Sequence, residues 1–382
     1  SVTSATGATG GGQVNVGLAA TAVSGGAQVN AQAPSANTAQ QNQAVVIANA
    51  TQAANTKQLA KKVTVKQGAV VDVSATQNGN AGSIAIWSEV KTTVAGTLKA
   101  TGGALGGNGG FVETSSKGAV NLSPKMVVDT SASKGKSGLW FLDPIDLIID
   151  VSAANVISSA LANNNVSIAV NGNVCPGLGG CTQAGSGVLT ISSGANILKQ
   201  GLTPTTLTLT SSGIFNLNAD ISGQNLNVII NSSIAYLNVG TSINANKVTV
   251  QAQTIYSNGL INAQSTTTLG AAIQLLAQAI YVSGGLTTSA NTNSNTSNTN
   301  NTSNTSVTYN GTVIRKEDLP TFLTAQNNAT TALDIVYSST AANDANLNAQ
   351  VNANNQSNVI YLSAQQGITL YSTAEIKANG TT

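Results

Sequence analysis

Histidine is absent from this 382-residue chain, so acid–base chemistry near neutral pH would fall to carboxylates, and these are few. Three stand close together, Asp143, Asp146 and Asp150, in the run LDPIDLIID. Clustered carboxylates can supply the acid and base of a polysaccharide-cleaving site, or ligate calcium. The same residues also have a structural use. An aspartate before Pro144 starts a turn, and the proline withdraws a donor from any β-ladder. Glu89, Glu113, Asp129 and Asp220 are the other main carboxylates within regular segments, and few cations accompany them to hold an acidic sugar. The sequence therefore reads as non-enzymatic, with no catalytic residue, metal ligand or cofactor assigned.

The remaining chemistry-bearing residues are quickly placed. Cys175 and Cys181 frame CPGLGGC, a glycine- and proline-rich span short enough to close as a local disulfide. A zinc site would lack ligands, and a disulfide fits an oxidising compartment. The glycine runs lack the helix-opening context of a phosphate loop. A net charge of +2 gives no general attraction to nucleic acid, and Lys57, Lys61, Lys62 and Lys66 read as a solvated face. No apolar run reaches the roughly 20 residues of a membrane-spanning helix.

What positions these residues is a repeat. Aromatic residues are 3% and charged residues 7% of the chain, too few for an ordinary globular mixture and suited to narrow coils filled by small and β-branched side chains. From Leu207, successive blocks each hold three short apolar strands: LTLTSSGIFNLNADISG, LNVIINSSIAYLNVGTSINA and VTVQAQTIYSNGLINA. Ile214, Ile234 and Ile255 mark corresponding positions at steps of about twenty, and Ile280 follows after a somewhat longer one. A period near twenty predicts an all-β parallel β-helix. VDVSATQNGNAGSIAIW, LKATGGALGGNGGFVET and VDTSASKGKSGLWFLDP, in the first third, join strands through glycine-rich loops on what reads as the same coil.

The pattern divides the chain into N-terminal coils over 1–31, an excursion loop over 32–62, a main solenoid over 63–288, a second excursion over 289–355 and a C-terminal coil over 356–382. A short helical turn is expected around Gln58 to Lys62, and a short helix in VIRKEDLPTFLTAQ with Asp318 and Pro320 in its first turn. The second excursion opens on NTNSNTSNTNNTSNTS, a low-complexity tract. Its sequons at Asn295, Asn301, Asn304 and Asn310 are candidate glycosylation sites.

Three segments carry a resemblance: GGQVNVG from Gly11, IAIWSEVKTTVAGTLKATGGALGGNGGFVETSSKG from Ile84, and VDTSASKGKSGLWFLDPIDLII from Val128. In order and spacing they resemble the filamentous-haemagglutinin-type exoproteins that Gram-negative bacteria export by two-partner secretion. The Gly109–Ser115 and Leu142–Pro144 elements are the most specific parts, and the likeness covers about residues 8 to 150. It implies a right-handed parallel β-helix, an extracellular or cell-surface location, an outer-membrane two-partner-secretion transporter as export partner, and a role in surface adhesion or biofilm matrix. The conserved secretion domain with which such proteins usually begin has no counterpart here, and the family's members are often far longer.

Trp87 and Trp140 lie on the best-matched strands, where they fill the core or, facing outward, would stack on surface glycans. The chain opens mid-pattern, and is expected to be a processed piece of something longer. Both ends read as uncapped coils: Ser1, Val2 and Thr3 at one, Ile376, Lys377, Ala378 and Asn379 at the other. Stacked head to tail, such coils would propagate a filament. The alternative is a fragment of a monomeric adhesin that binds host or surface glycans.

Overall fold

The computed structural model describes residues 1–17, 59–172, 185–263, 272–288, 306–309, 312–315 and 360–378. The chain is built of long all-parallel β-sheets, as a parallel β-solenoid requires, and divides into two compact units, Ser1–Gly213 and Ile214–Thr382.

In the early coils of the first unit each coil contributes one strand to each of three sheets. Ser83–Ser88, Lys91–Val94 and Thr97–Lys99 make one such coil, and a glycine-rich connection leads to Phe111–Ser116 in the next. Ser83 stands opposite Phe111, and Phe111 opposite Leu139, so the chain takes a longer step here than in the apolar blocks that follow Leu207. The expected period of twenty is thus corrected in this unit, because the glycine-rich connections belong to the coil. They stack as the strands do. The Asn80 side chain accepts from the Asn108 backbone N–H at 2.8 Å, and the Asn108 side chain accepts from that of Lys136 at 2.8 Å. Asparagine therefore extends the ladder through turns whose backbones alone would leave groups unpaired.

Glycine is required there by space. A Cβ on Gly82 would fall deep inside the van der Waals shell of the Gly12 carbonyl oxygen, one on Gly110 inside that of Gly82, and one on Gly138 inside that of Gly110. These same carbonyls receive the first ladder bonds of the following strands, from Ser83, Phe111 and Leu139 N–H. The column lets one coil lie directly on the last.

One face of this unit exchanges a strand for a helix, which the sequence pattern does not predict. Val151–Leu161 begins at Asp150, whose side chain accepts from the Ala153 N–H at 2.8 Å as an N-cap. Ala154, Ile157 and Leu161 are buried and fix the inward face. A helix offers its flanks no backbone ladder, so side chains stand in. Asn164 accepts from the Thr130 N–H at 2.7 Å and donates to the Val128 carbonyl at 2.8 Å, while Ser158 Oγ accepts from the Leu198 N–H at 2.9 Å.

In the second unit the coil is shorter and the period of twenty holds. Ile214 pairs with Ile234 and Ile234 with Thr254; on the other arm of the same sheet Asn227 pairs with Lys247. Alternation is strict: Leu226–Asn231 and Lys247–Gln251 bury every second residue. The expected correspondence of Ile255 with Ile234 is off by one, since Ile255 stands opposite Ala235 and pairs onward with Ile280. A one-residue slip exchanges the two faces of a strand, and Ile255 is indeed buried where Ile234 is not. The ten-residue strand Ile273–Val282 runs along two sides at once, pairing first with Lys247–Gln251 and then with Thr254–Ser257.

Two local expectations are corrected. Lys62 opens the strand Lys62–Val65 where a helical turn was expected, so the first excursion gives way to regular structure there. Thr312–Arg315 pairs antiparallel with Ser306–Tyr309, so Val313–Arg315 are extended where a helix was expected. Asp318 and Pro320 lie outside the described residues.

Candidate functional site

The three clustered aspartates do not converge. Asp150 is spent on the helix N-cap. Asp146 accepts from Ser186 Oγ at 2.9 Å, Val188 N–H at 3.0 Å and Ser186 N–H at 3.2 Å, bracing a second connection against its own. Slight burial opposes its charge, but these hydrogen bonds outweigh it and hold the carboxyl below its ordinary range. Asp143 is fully buried in the strand Leu139–Asp143. In the second unit Asp220 accepts from the Ser242 N–H at 2.7 Å and its Oγ at 2.9 Å. Among the described residues no group of three acidic or sulfur side chains gathers to hold a metal.

Trp87 and Trp140 are corrected as sugar platforms, because both are wholly buried. The reason is that every residue of Ser83–Ser88 is buried, on both faces of the strand. The Trp140 indole donates to Thr114 Oγ1 at 2.9 Å. Trp87 donates to Glu113 Oε1 at 2.8 Å, and Ser115 Oγ donates to the same oxygen at 3.1 Å. Burial pushes the Glu113 carboxyl up to about 7, against the pull of the Trp87 and Ser115 hydrogen bonds. Beside it, Ser88 and Thr92 share a hydrogen bond of 2.8 Å, and Thr92 donates to the Ser115 carbonyl at 2.7 Å. This interior polar network joins coils by side chains as well as backbone.

The outward-facing feature that stands out lies in the second unit. Tyr236, Tyr256 and Tyr281 occupy one register column, and their partly exposed rings stack at 4.9 and 5.0 Å, within 5° and 10° of parallel. Just beyond, at the following turn, Asn238 donates to Asn218 Oδ1 at 2.8 Å and Ser283 to Asn258 Oδ1 at 2.7 Å. Parallel, in-register strands place like residues one coil above another, and the ring spacing is the strand spacing of about 4.8 Å. The signal was present in the sequence: each tyrosine follows an isoleucine by one or two residues, and each follows the last by one coil.

The proposed assembly residues fall on sheet edges. Val2–Ser4 is an outer strand, paired on one flank with Val70–Asp72; Val2 is 72% exposed. Ile376, Lys377 and Ala378 belong to Glu375–Ala378, paired on one flank with Gly285–Thr288. Asn379 lies outside the described residues, as do Cys175, Cys181, Asn295, Asn301, Asn304 and Asn310. No family model, curated protein or solved structure matches this chain.

Proposed function

We propose that this chain is a non-enzymatic, secreted β-solenoid of the filamentous-haemagglutinin type, and that it acts as a subunit of an extracellular fibre serving adhesion or biofilm matrix on a Gram-negative bacterium. The observation that carries the reading is the set of edge strands in the first unit. Val2–Ser4, Gln13–Val16 and Lys62–Val65 each end a parallel sheet, with one flank unpartnered among the described residues. Together they offer three sides of a coil whose shape is that of the coils beneath it. A matching coil laid on these edges continues all three sheets, and the contact repeats along a filament. Such a chain would leave the cell through an outer-membrane two-partner-secretion transporter.

The edge can be blocked without touching the core. The Lys61 and Val65 carbonyls accept from Val90 and Ala95 in the coil behind, so the alternate residue Thr64, which is exposed, turns its N–H to the free flank. Thr64→Pro removes that donor. Electron microscopy of concentrated native protein should show filaments, and the variant should give discrete particles with unchanged circular dichroism. Native protein that stays discrete at high concentration defeats the fibre and leaves the monomeric adhesin.

A further inference from the structure

We infer that Tyr236, Tyr256 and Tyr281 form a site of oxidative cross-linking, at which a peroxidase-type oxidant joins neighbouring coils of the second unit through a dityrosine bond. Three observations converge. The rings are near-parallel neighbours at 4.9 and 5.0 Å. They are partly exposed, so a one-electron oxidant can reach them. Their strands are held in register, Ile234–Leu237 on Thr254–Ser257 and Thr254–Ser257 on Ile273–Val282, so the two reacting rings are already side by side before either is oxidised.

The chemistry balances as follows. Each of two phenols gives up one electron and its hydroxyl proton. The resulting phenoxyl radicals join through ring carbons ortho to oxygen, and each ortho C–H proton moves to the phenol oxygen as aromaticity is restored. Two tyrosines lose two hydrogen atoms in all, and one hydrogen peroxide, acting through the peroxidase, is reduced to two waters. Coupling needs only a pivot of each ring about its two side-chain torsions, which leaves the strands paired. Tyr256 is the common member. Without it, Tyr236 and Tyr281 stand two coil steps apart, about 10 Å.

The site is independent of the fibre reading, since it lies within one chain. Dilute protein is treated with a haem peroxidase and hydrogen peroxide, and the monomer is recovered, digested and mapped by mass spectrometry. The expected result is a peptide pair linking Tyr256 to Tyr236 or to Tyr281, with dityrosine fluorescence in the monomer fraction. Tyr256→Phe keeps the stacked ring and the fold but should remove both the link and the fluorescence. Tyr236→Phe should move the whole yield to Tyr256–Tyr281. Tyr371, half exposed and outside the column, should be dispensable, so Tyr371→Phe leaves the yield unchanged. Dityrosine found only in covalent dimers, an undiminished monomer signal in Tyr256→Phe, or no dityrosine in the monomer at all would overturn the inference.

Discussion

The two units build the same kind of coil from different materials. The first spends a longer stretch of chain on each coil where its glycine-rich connections stack, and seats coil on coil through a column of glycines and an interior network around Glu113. The second keeps close to the shorter period where it is most regular, and relies on alternating apolar side chains inside with matched columns of tyrosine and asparagine outside. The contrast teaches that a parallel ladder tolerates very different connections, provided each kind brings its own way of repeating one coil above the last. The first unit leans most on close backbone approach along its glycine column, beside its turn asparagines, and the second, which repeats that approach at Gly284 on Gly259, adds outward columns of side chains.

The sharpest way to break this contrast is to add a side chain to a glycine of each kind. Gly110→Val places a branched group where the Gly82 carbonyl already sits, and should destabilise the first unit by about 3 kcal/mol or more. Gly240, in the second unit, has φ of +81° with no atom near its would-be Cβ. There the requirement is conformational, and Gly240→Ala should cost only about 1 kcal/mol. Denaturant midpoints of the two variants test the ordering, and equal losses would erase the distinction.

A pH series sharpens the comparison next. Glu113 stays protonated in the folded first unit up to about pH 7, whereas in the unfolded chain it ionises near 4.5. Between those values the native state binds the extra proton, so stability is highest below pH 4.5 and falls as pH rises to 7. The loss approaches about 3 kcal/mol, at roughly 1.4 kcal/mol per pH unit. Glu113→Gln keeps the hydrogen-bond acceptor but should abolish the slope in the urea midpoint measured against pH. A slope that persists in this variant assigns the effect elsewhere.

A smaller effect than that of Gly110→Val or of the Glu113 titration is expected at the tyrosine column. Tyr256→Ala removes two stacked pairs and should cost the second unit about 2 kcal/mol, while Tyr256→Phe should be nearly neutral. Thermal unfolding of the two variants measures the difference. Equal stability of both would mean that the stack accompanies the fold without supporting it.

The parallel coil was legible because apolar residues return at fixed intervals, and the step from Ile214 to Ile234 is the coil itself. The longer step of the first unit was equally present, in the succession of SIAIW, FVETS and LWFLD, but glycine-rich loops carry no apolar marker by which to measure them. The tryptophans stayed open between core and platform because period-two alternation shows which face a residue takes, and not whether the second face is also covered; burial on both faces decides for the core. The helix was hidden because VSAANVISSAL mixes its alanines with the valine, isoleucine and serine of the surrounding strands, and Asp150 was read only as one of a carboxylate cluster. The tyrosine column escaped because the isoleucines beside it were aligned one residue out of register.

That helix has a further consequence when the molecule is considered by descent. Val151–Leu161 occupies one side of the coil between Val127–Asp129 and Ile197–Lys199, while Leu139–Asp143 pairs on through Asn165–Val170 without a break. Two side chains, Asn164 and Ser158, make the transition on its flanks. One wall of such a chain can therefore accept a foreign segment while the others keep their register, and duplication or insertion of part of a coil need not be ruinous. Lineages of such proteins would be expected to diverge wall by wall, with length polymorphism gathering where a side-chain adaptor has already replaced the backbone ladder.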